Sequence, residues 1–128
     1  MSKLFLVISH SLTDEQVQDA KKSFNIEEVV SLPDNLIKIW GNIPPEIPKV
    51  NEYLKEIKKW LLTNCHNGDY ILIQGEFGST CILVNFAFKN NFIPIYATTK
   101  RIIEEEVSGN KVINKRIFKH VRFRIYEK

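Results

Sequence analysis

The sequence predicts an α/β protein with a Rossmann-like, mostly parallel sheet flanked by helices and an antiparallel β-hairpin near the C-terminus. Three observations support this prediction. Short apolar runs typical of buried strands alternate with segments of helical periodicity. Strands that alternate with helices favour parallel pairing through crossover connections. Two further strand-like segments flank Ser108-Gly109-Asn110, a sequence typical of a hairpin turn.

The first elements follow from residues 1–40. Residues 4–8 form a continuous apolar run, which predicts a strand buried on both faces. Residues 13–16 match a capping box and predict the start of a helix that places Val17, Ala20 and Phe24 on one face. Residues 27–32 predict a second strand, and Pro33 ends it before a short helical segment at 36–40.

The remaining elements follow three prolines at positions 44, 45 and 48, which exclude regular structure there. Residues 50–61 have helical apolar spacing, and Asn67-Gly68 ends that helix. A third strand is expected at 70–74, and then a helix through about Lys89 that is apolar almost all round. A fourth strand is expected at 94–97, ending at Thr98. No repeat or linker divides the chain, so we expect one domain over residues 1–128.

Charge is distributed unevenly along the 128 residues, although the net charge is only +3. Residues 111–128 hold seven basic residues and one acid, whereas residues 1–110 hold 11 basic and 14 acidic residues. A basic C-terminal element on an acidic body predicts a local anion site rather than a surface for long nucleic acid. The alternative is a solvated edge strand whose charges prevent aggregation.

The N-terminal apolar run is too short for a signal peptide, and no apolar stretch approaches the length of a membrane span. Cys65 and Cys81 have no CxxC spacing. We therefore expect a cytoplasmic protein with reduced cysteines and no membrane partner.

Polar residues follow three of the predicted strands. Because ligands of parallel sheets bind beyond the carboxyl ends of the strands, we expect these residues to form one site. The turn at 75–80 opens a helix whose free N–H groups suit a phosphate, although it is neither a Walker loop nor GxGxxG. Glu76 within it is a base, a hydroxyl ligand or a surface residue. The candidates are Ser9, His10 and Ser11; Gln74, Gly75, Glu76, Phe77, Gly78, Ser79 and Thr80; and Thr98, Thr99, Lys100 and Arg101.

In the last strand, strict alternation would place Phe118, His120, Arg122 and Arg124 on one face. We expect that face to be solvated or to line a ligand, which adds His120 and Arg122 to the candidate binding residues. For the hydroxyls and cations at 98–101, the alternative to a ligand site is a strand end whose charges are solvated. His66 is expected to be a surface or capping residue.

The sequence contains no HExxH, no Cys/His metal pattern, no carboxylate cluster for Mg²⁺ and no GxSxG. We therefore expect no metal and no cofactor. An RNA-type ligand permits metal-independent cleavage, since its own 2′-hydroxyl is the nucleophile.

Nearly the whole chain resembles the small stand-alone CRISPR-associated ring nucleases of type III systems, which are related to the CARF fold. The similarity is carried by residues 4–13 (LFLVISHSLT), 68–80 (GDYILIQGEFGST), 84–87 (VNFA), 94–101 (PIYATTKR) and 118–126 (FKHVRFRIY). The resemblance implies a CARF-like homodimer that binds cyclic oligoadenylate, with cyclic tetra-adenylate the first ring to consider, and linearises it.

Combined with the strand-end positions, this resemblance leads to a catalytic hypothesis. His10 is the general acid or base. Lys100 and Arg101 stabilise the phosphorane, the five-coordinate species that forms when the 2′-oxygen attacks the phosphorus. The other candidates bind phosphates and riboses. Two alternatives stay open: a sensor or sponge that holds the ring without cutting it, and a basic interaction module for RNA or an acidic protein.

Overall fold

The computed structural model of the chain covers residues 1–128 and contains five strands and four α-helices. In chain order these are β1 (Ser2–Val7), α1 (Asp14–Phe24), β2 (Ile26–Ser31), α2 (Asp34–Gly41), a 3₁₀ turn (Glu52–Leu54), α3 (Lys55–Asn64), β3 (Tyr70–Ile73), α4 (Phe77–Lys89), β4 (Ile93–Ser108) and β5 (Lys111–Ile125). The predicted mixed α/β class is therefore confirmed. None of the helices combines the length and apolar character of a membrane span.

The five strands form one sheet in the order β2-β1-β3-β4-β5. The first four strands pair in parallel, and β5 is antiparallel to β4, as the sequence predicts. The chain moves from β1 to one side for β2 and to the other side for β3. The strand order thus reverses between β1 and β3, and in open α/β sheets ligands bind beyond the C-terminal strand ends at such a reversal.

The sheet has an apolar core on each face, because the side chains of its strands alternate between the faces. Phe5 and Val7 of β1 pack with buried residues of α2, α3 and α4. Leu4 and Leu6 pack on the other face with Ala20 of α1 and Phe123 of β5. One layer of helices thus covers each side of the sheet.

The start of α1 follows the predicted capping box. Thr13 Oγ1 accepts a hydrogen bond from the Gln16 backbone N–H at 3.2 Å, and the Gln16 side chain accepts one from the Thr13 N–H at 3.0 Å. Asn25 ends the helix in the left-handed conformation (φ 56°). These local signals fix where the helix lies over the sheet.

The predicted end of the fourth strand at Thr98 is wrong, because β4 continues to Ser108. No glycine or proline interrupts residues 97–107, and β5 pairs with β4 along this whole length. The strand expected before the Gly109 turn is therefore the second half of β4. Beyond Ile95, β4 has no partner except β5, so residues 99–120 form a two-stranded projection that we call the arm.

The predicted face of β5 is also wrong. The β4–β5 register shifts between Thr98, which pairs with Arg122, and Thr99, which pairs with His120. Val121 is the extra residue of this β-bulge, so alternation changes phase there. His120 consequently lies on the same face as Phe123, with ring centroids 4.8 Å apart, and Arg122 lies on the opposite face.

Candidate functional site

Gln74, the candidate residue directly after β3, is hydrogen-bonded to the neighbouring strands β1 and β4. The Gln74 backbone N–H donates to the Val7 carbonyl at 3.3 Å. The Gln74 side-chain oxygen accepts from the Ala97 N–H at 2.8 Å. Gln74 thus links three neighbouring strands where β3 ends, and its side-chain oxygen is already occupied by the protein.

His10 is exposed at this edge and lines a cleft of 310 Å³ formed by the ends of β1 and β2 with α1 and α2. Ser9 and Ser11 line the same cleft. The Nδ1 atom of His10 lies 3.1 Å from the Ser11 carbonyl oxygen. A carbonyl only accepts, so Nδ1 carries the proton and Nε2 is left as a free acceptor. This tautomer suits a general base.

Trp40, at the end of α2, supports this edge, and sequence reasoning missed it. Its Nε1–H donates to the Gln74 carbonyl at 2.9 Å. A Cβ atom on Gly75 would lie 2.7 Å from the Trp40 ring. Gly75 therefore allows the indole to approach the backbone, which is a packing role. The available signal in the sequence was the four-residue spacing of Leu36 and Trp40, which places both on the same face of the short helix α2.

The N-terminus of α4 is capped by the chain's own carboxylate. Glu76 Oε1 accepts hydrogen bonds from the Ser79 N–H at 2.8 Å and the Ser79 hydroxyl at 2.9 Å. The backbone N–H of Ser79, then its hydroxyl, then the N–H of Gly78 lower the pKa of Glu76, so it is ionised near neutral pH. A phosphate at this helix end has to displace Glu76.

Phe77 and Thr80 line a different surface, a groove of 690 Å³ between α4 and the C-terminal residues 126–128. The Phe77 side chain is 94% exposed. The Thr80 Oγ1 atom is buried and has no hydrogen-bond partner. The groove is therefore separate from the cleft that holds His10.

The hydroxyls and cations of residues 98–101 lie within β4, at the base of the arm. The Thr98 hydroxyl donates to the Arg122 carbonyl at 2.9 Å, across the bulge. Lys100 and Arg101 are exposed, and no acidic group lies within 4.0 Å of either. Both cations are therefore free to meet an anionic ligand, as is the exposed Arg122.

His120 is tied to Asp19 of α1, which sequence reasoning also missed. Its side chain is 5% exposed, and its Nε2 lies 2.7 Å from Asp19 Oδ2. Burial raises the pKa of Asp19, but hydrogen bonds from His120 and Ser23 and the charges of His120 and Arg122 outweigh burial and lower it. His120 also lines a cleft of 440 Å³ between α1 and the arm, together with Thr99.

The candidate residues thus divide between three depressions. Ser9, His10 and Ser11 share one, Thr99 and His120 a second, and Phe77 and Thr80 a third. Lys100 and Arg101 do not line the cleft that holds His10. No three His, Cys, Asp or Glu side chains cluster as metal ligands would.

Cys65 is excluded as a nucleophile at neutral pH. Burial, and then the nearby Asp69 carboxylate, raise the pKa of Cys65 to about 12. The thiolate, which is the reactive form, is therefore scarce. Of the two cysteines only Cys81 is exposed.

Comparison with known proteins links the chain to one family. The sequence model of the family described as "Uncharacterized protein MJ1673 family" matches residues 2–124. The chain is 48% identical over 126 residues to "Uncharacterized protein MJ1673" of Methanocaldococcus jannaschii, and the alignment covers 98% of each chain. No solved structure matches.

Proposed function

The chain belongs to the MJ1673 family, and we propose that it binds cyclic oligoadenylate at the C-terminal edge of its sheet and linearises it. The observation that supports this proposal is the adjacency of three candidate segments at one edge of the sheet. Residues 9–11 and 74–80 follow β1 and β3, and residues 98–101 lie in β4 just beyond its pairing with β3. The edge includes the point between β1 and β3 where the strand order reverses, and we propose that the Rossmann-like sheet is of the CARF type.

The proposed reaction uses groups of the ligand and of the chain, without a metal. The His10 Nε2 atom takes the proton of a ribose 2′-hydroxyl. The 2′-oxygen then forms a bond to the adjacent phosphorus, and the bond from phosphorus to the 5′-oxygen breaks. The leaving 5′-oxygen takes a proton from the solvent or from the imidazolium. The product is a linear oligoadenylate that ends in a 2′,3′-cyclic phosphate.

Lys100 and Arg101 supply the positive charge in this proposal. The phosphorane carries more negative charge than the phosphodiester, so an exposed cation without an acidic partner stabilises the transition state more than the ground state. The guanidinium fork of Arg101 matches two phosphate oxygens. Because His10 lines a cleft and these cations lie outside it, on the exposed base of the arm, the ring has to extend from the cleft to the arm.

A homodimer with the ring on its two-fold axis completes the proposal. Two copies related by a two-fold axis present the same residues to both halves of a symmetric ring. Each copy then contributes one His10 and one pair of cations. Cleavage of the ring in the cytoplasm would end type III CRISPR signalling.

The second candidate is a sensor or sponge that holds the ring without cutting it. The observation that favours it is the position of His10 in a cleft that neither Lys100 nor Arg101 lines. In this case the same edge binds the ring, but no base meets an activated phosphate. Tight binding without turnover is its signature.

The deciding experiment incubates the purified protein with cyclic tetra-adenylate in EDTA and resolves the products by HPLC and mass spectrometry. Linear products with a cyclic-phosphate end support the nuclease. An intact ring that co-elutes with the protein supports the sensor or sponge. An intact ring that does not bind, repeated with other ring sizes, overturns both and leaves the basic interaction module.

A further inference from the structure

The arm extends from the sheet as a two-stranded ribbon. β3 pairs with β4 only from Ile93 to Ile95, whereas β4 and β5 pair continuously from the Thr99–His120 pair to the Ser108–Lys111 pair. These ten pairs give a ribbon about 34 Å long, at 3.4 Å per residue. A two-stranded hairpin alone is marginally stable in water, so a ribbon of this length needs a surface that covers it.

One face of the arm is apolar and open. The pairing of Arg101 with Phe118 and of Val107 with Val112 places Ile103, Val107, Val112 and Phe118 on the same face. These side chains are 63%, 72%, 61% and 68% exposed. On the other face, Ile113 and Ile117 are only 45% and 38% exposed. The open face carries the four most exposed apolar side chains of the arm.

Beyond the Arg101–Phe118 pair, the two strands of the arm carry opposite charge. Glu104, Glu105 and Glu106 lie on β4, and Lys111, Lys115 and Arg116 lie on β5. At the base of the arm, Lys100 and Arg101 make β4 basic. Only one ion pair joins the two strands, between Lys115 and Glu106 at 2.7 Å. Glu105 and Arg116 lie on the open face, and neither forms an ion pair within the chain. The arm is therefore complementary in charge to another copy of itself.

We propose that the open face of the arm packs against the same face of the arm of a second copy of this chain. Sheets that pack in this way lie about 10 Å apart. Burial of the apolar side chains of the open face provides the driving force. Arg101 lies on the same face at the base of the arm, so the contact is centred on Ile103, Val107 and Val112, and Arg101 stays available to the ring of the proposed function.

Charge selects the orientation of the two arms. A two-fold axis parallel to the strands places β4 of one copy over β5 of the other, so acidic residues meet basic ones. A two-fold axis across the strands, centred on the acidic run of β4, places each strand over itself, and Glu105 meets the Glu105 of the other copy. The first arrangement follows, with the two Gly109 turns at the same end. Edge-to-edge pairing of two copies, β4 with β4 or β5 with β5, would also bring like charges together.

The test is the oligomeric state of the full chain, measured by light scattering after size exclusion and by sedimentation velocity. We expect a wild-type dimer, and a monomer when Ile103→Lys and Val107→Lys are combined. Leu62→Lys is the matched control, because Leu62 is a 53% exposed apolar residue on α3, outside the arm. It should leave the dimer intact. A wild-type monomer, or a dimer that the double variant does not change, overturns the proposal.

A charge-reversal pair separates association from folding. Glu105→Lys and Arg116→Glu should each weaken the dimer, because each places like charges in contact across the proposed axis. An equimolar mixture of the two should recover a heterodimer, since positions 105 and 116 then carry opposite charges wherever they meet across the axis. Mixing cannot repair a misfolded arm. Failure to recover the heterodimer overturns the proposed pairing of β4 with β5.

Cross-linking tests the parallel orientation. Asn110→Cys, in a Cys81→Ser background that removes the exposed native thiol, should link two chains through a short bis-maleimide. The control is Glu52→Cys, in the 3₁₀ turn of the body, which should give no cross-link. A wild-type-like dimer without a cross-link at residue 110 overturns the same-end placement of the turns.

Discussion

The Nε2 atom of His120 lies 2.7 Å from Oδ2 of Asp19, and this contact joins the base of the arm to the helix that covers the sheet. The bulge at Val121 places His120 on this inner face. Because the carboxylate only accepts, Nε2 carries the proton, and Nδ1 is a buried atom without a partner. A residue that alternation predicts to face a ligand therefore anchors the arm.

Loss of this contact should destabilise the protein at neutral pH. Asp19→Asn should lower the free energy of unfolding by about 1–3 kcal/mol, since it weakens a hydrogen bond from a buried imidazole to a charged group. Urea denaturation followed by circular dichroism measures the change. Glu46→Gln, in the exposed proline-rich loop, is the control and should be neutral. An unaffected Asp19→Asn variant would contradict the anchoring role.

The same pair should make stability depend on acidic pH. The pKa of Asp19 is lower in the folded protein than its ordinary value of 3.8. A carboxyl of this kind stabilises the fold above the unfolded-state pKa, and the contribution is lost as the pH falls through the folded-state pKa. The difference in unfolding free energy between wild type and Asp19→Asn should therefore be constant above about pH 5 and decrease below about pH 4. A difference that persists undiminished in strong acid would contradict this linkage.

Gly75 should not tolerate a side chain. Gly75→Ala places a Cβ atom 2.7 Å from the Trp40 ring, so the indole or the backbone has to move, at a cost of about 1–3 kcal/mol. Thermal unfolding and tryptophan fluorescence measure the loss of stability and the displacement of Trp40. Gly78→Ala is the matched control, because its Cβ meets only the Glu76 side chain, at 3.5 Å. Equal melting temperatures for the two variants would contradict the packing role of Gly75.

Most of the sheet could be predicted from local patterns in the sequence. The apolar runs at β1 and β3 and the capping box at Thr13 define their elements without tertiary information. A strand was predicted before Gly109, but its continuity with residues 94–97 was not, because the hydroxyls and cations of residues 98–101 resemble a strand end. Their strand conformation depends on pairing with β5, which is a tertiary contact.

The candidate site was predictable only in outline. Strand order brings the candidate segments to one edge, but side-chain partners decide which of them are accessible. Glu76 occupies its own helix end, Gln74 bonds to Ala97, and the bulge turns His120 inward. None of these partners has a sequence motif, since each bond depends on the final backbone geometry.

His10→Ala should slow ring cleavage by about 10²–10⁴-fold if His10 is the proposed base. Binding of the ring should change little, because the imidazole acts by transferring a proton, and a neutral imidazole makes no ionic contact with a phosphate. Single-turnover cleavage and equilibrium binding are measured on the same preparations. His66→Ala is the matched control, since the His66 side chain is 83% exposed beyond the end of α3. Unchanged single-turnover cleavage in His10→Ala would remove His10 from the mechanism.

Arg101→Ala should slow single-turnover cleavage by a larger factor than it weakens binding, because the proposed phosphorane holds more charge than the ground state. Arg124→Ala is the control, an exposed cation on β5 within the pairing to Tyr96. It should change both quantities equally and slightly. Equal losses of binding and cleavage in Arg101→Ala would assign Arg101 to binding alone.

Glu76→Ala distinguishes a phosphate site at the start of α4 from a self-capped helix end. The variant removes the acceptor of the Ser79 N–H, so the melting temperature should fall. It also frees N–H groups at the positive end of the helix, and a ring phosphate placed there should bind more tightly, by several fold. Calorimetric titration of cyclic tetra-adenylate against both proteins measures the affinity. A lower melting temperature with unchanged affinity would mean that residues 75–80 support the edge without contacting a phosphate, and the ring would then rest on the β1 and β4 segments alone.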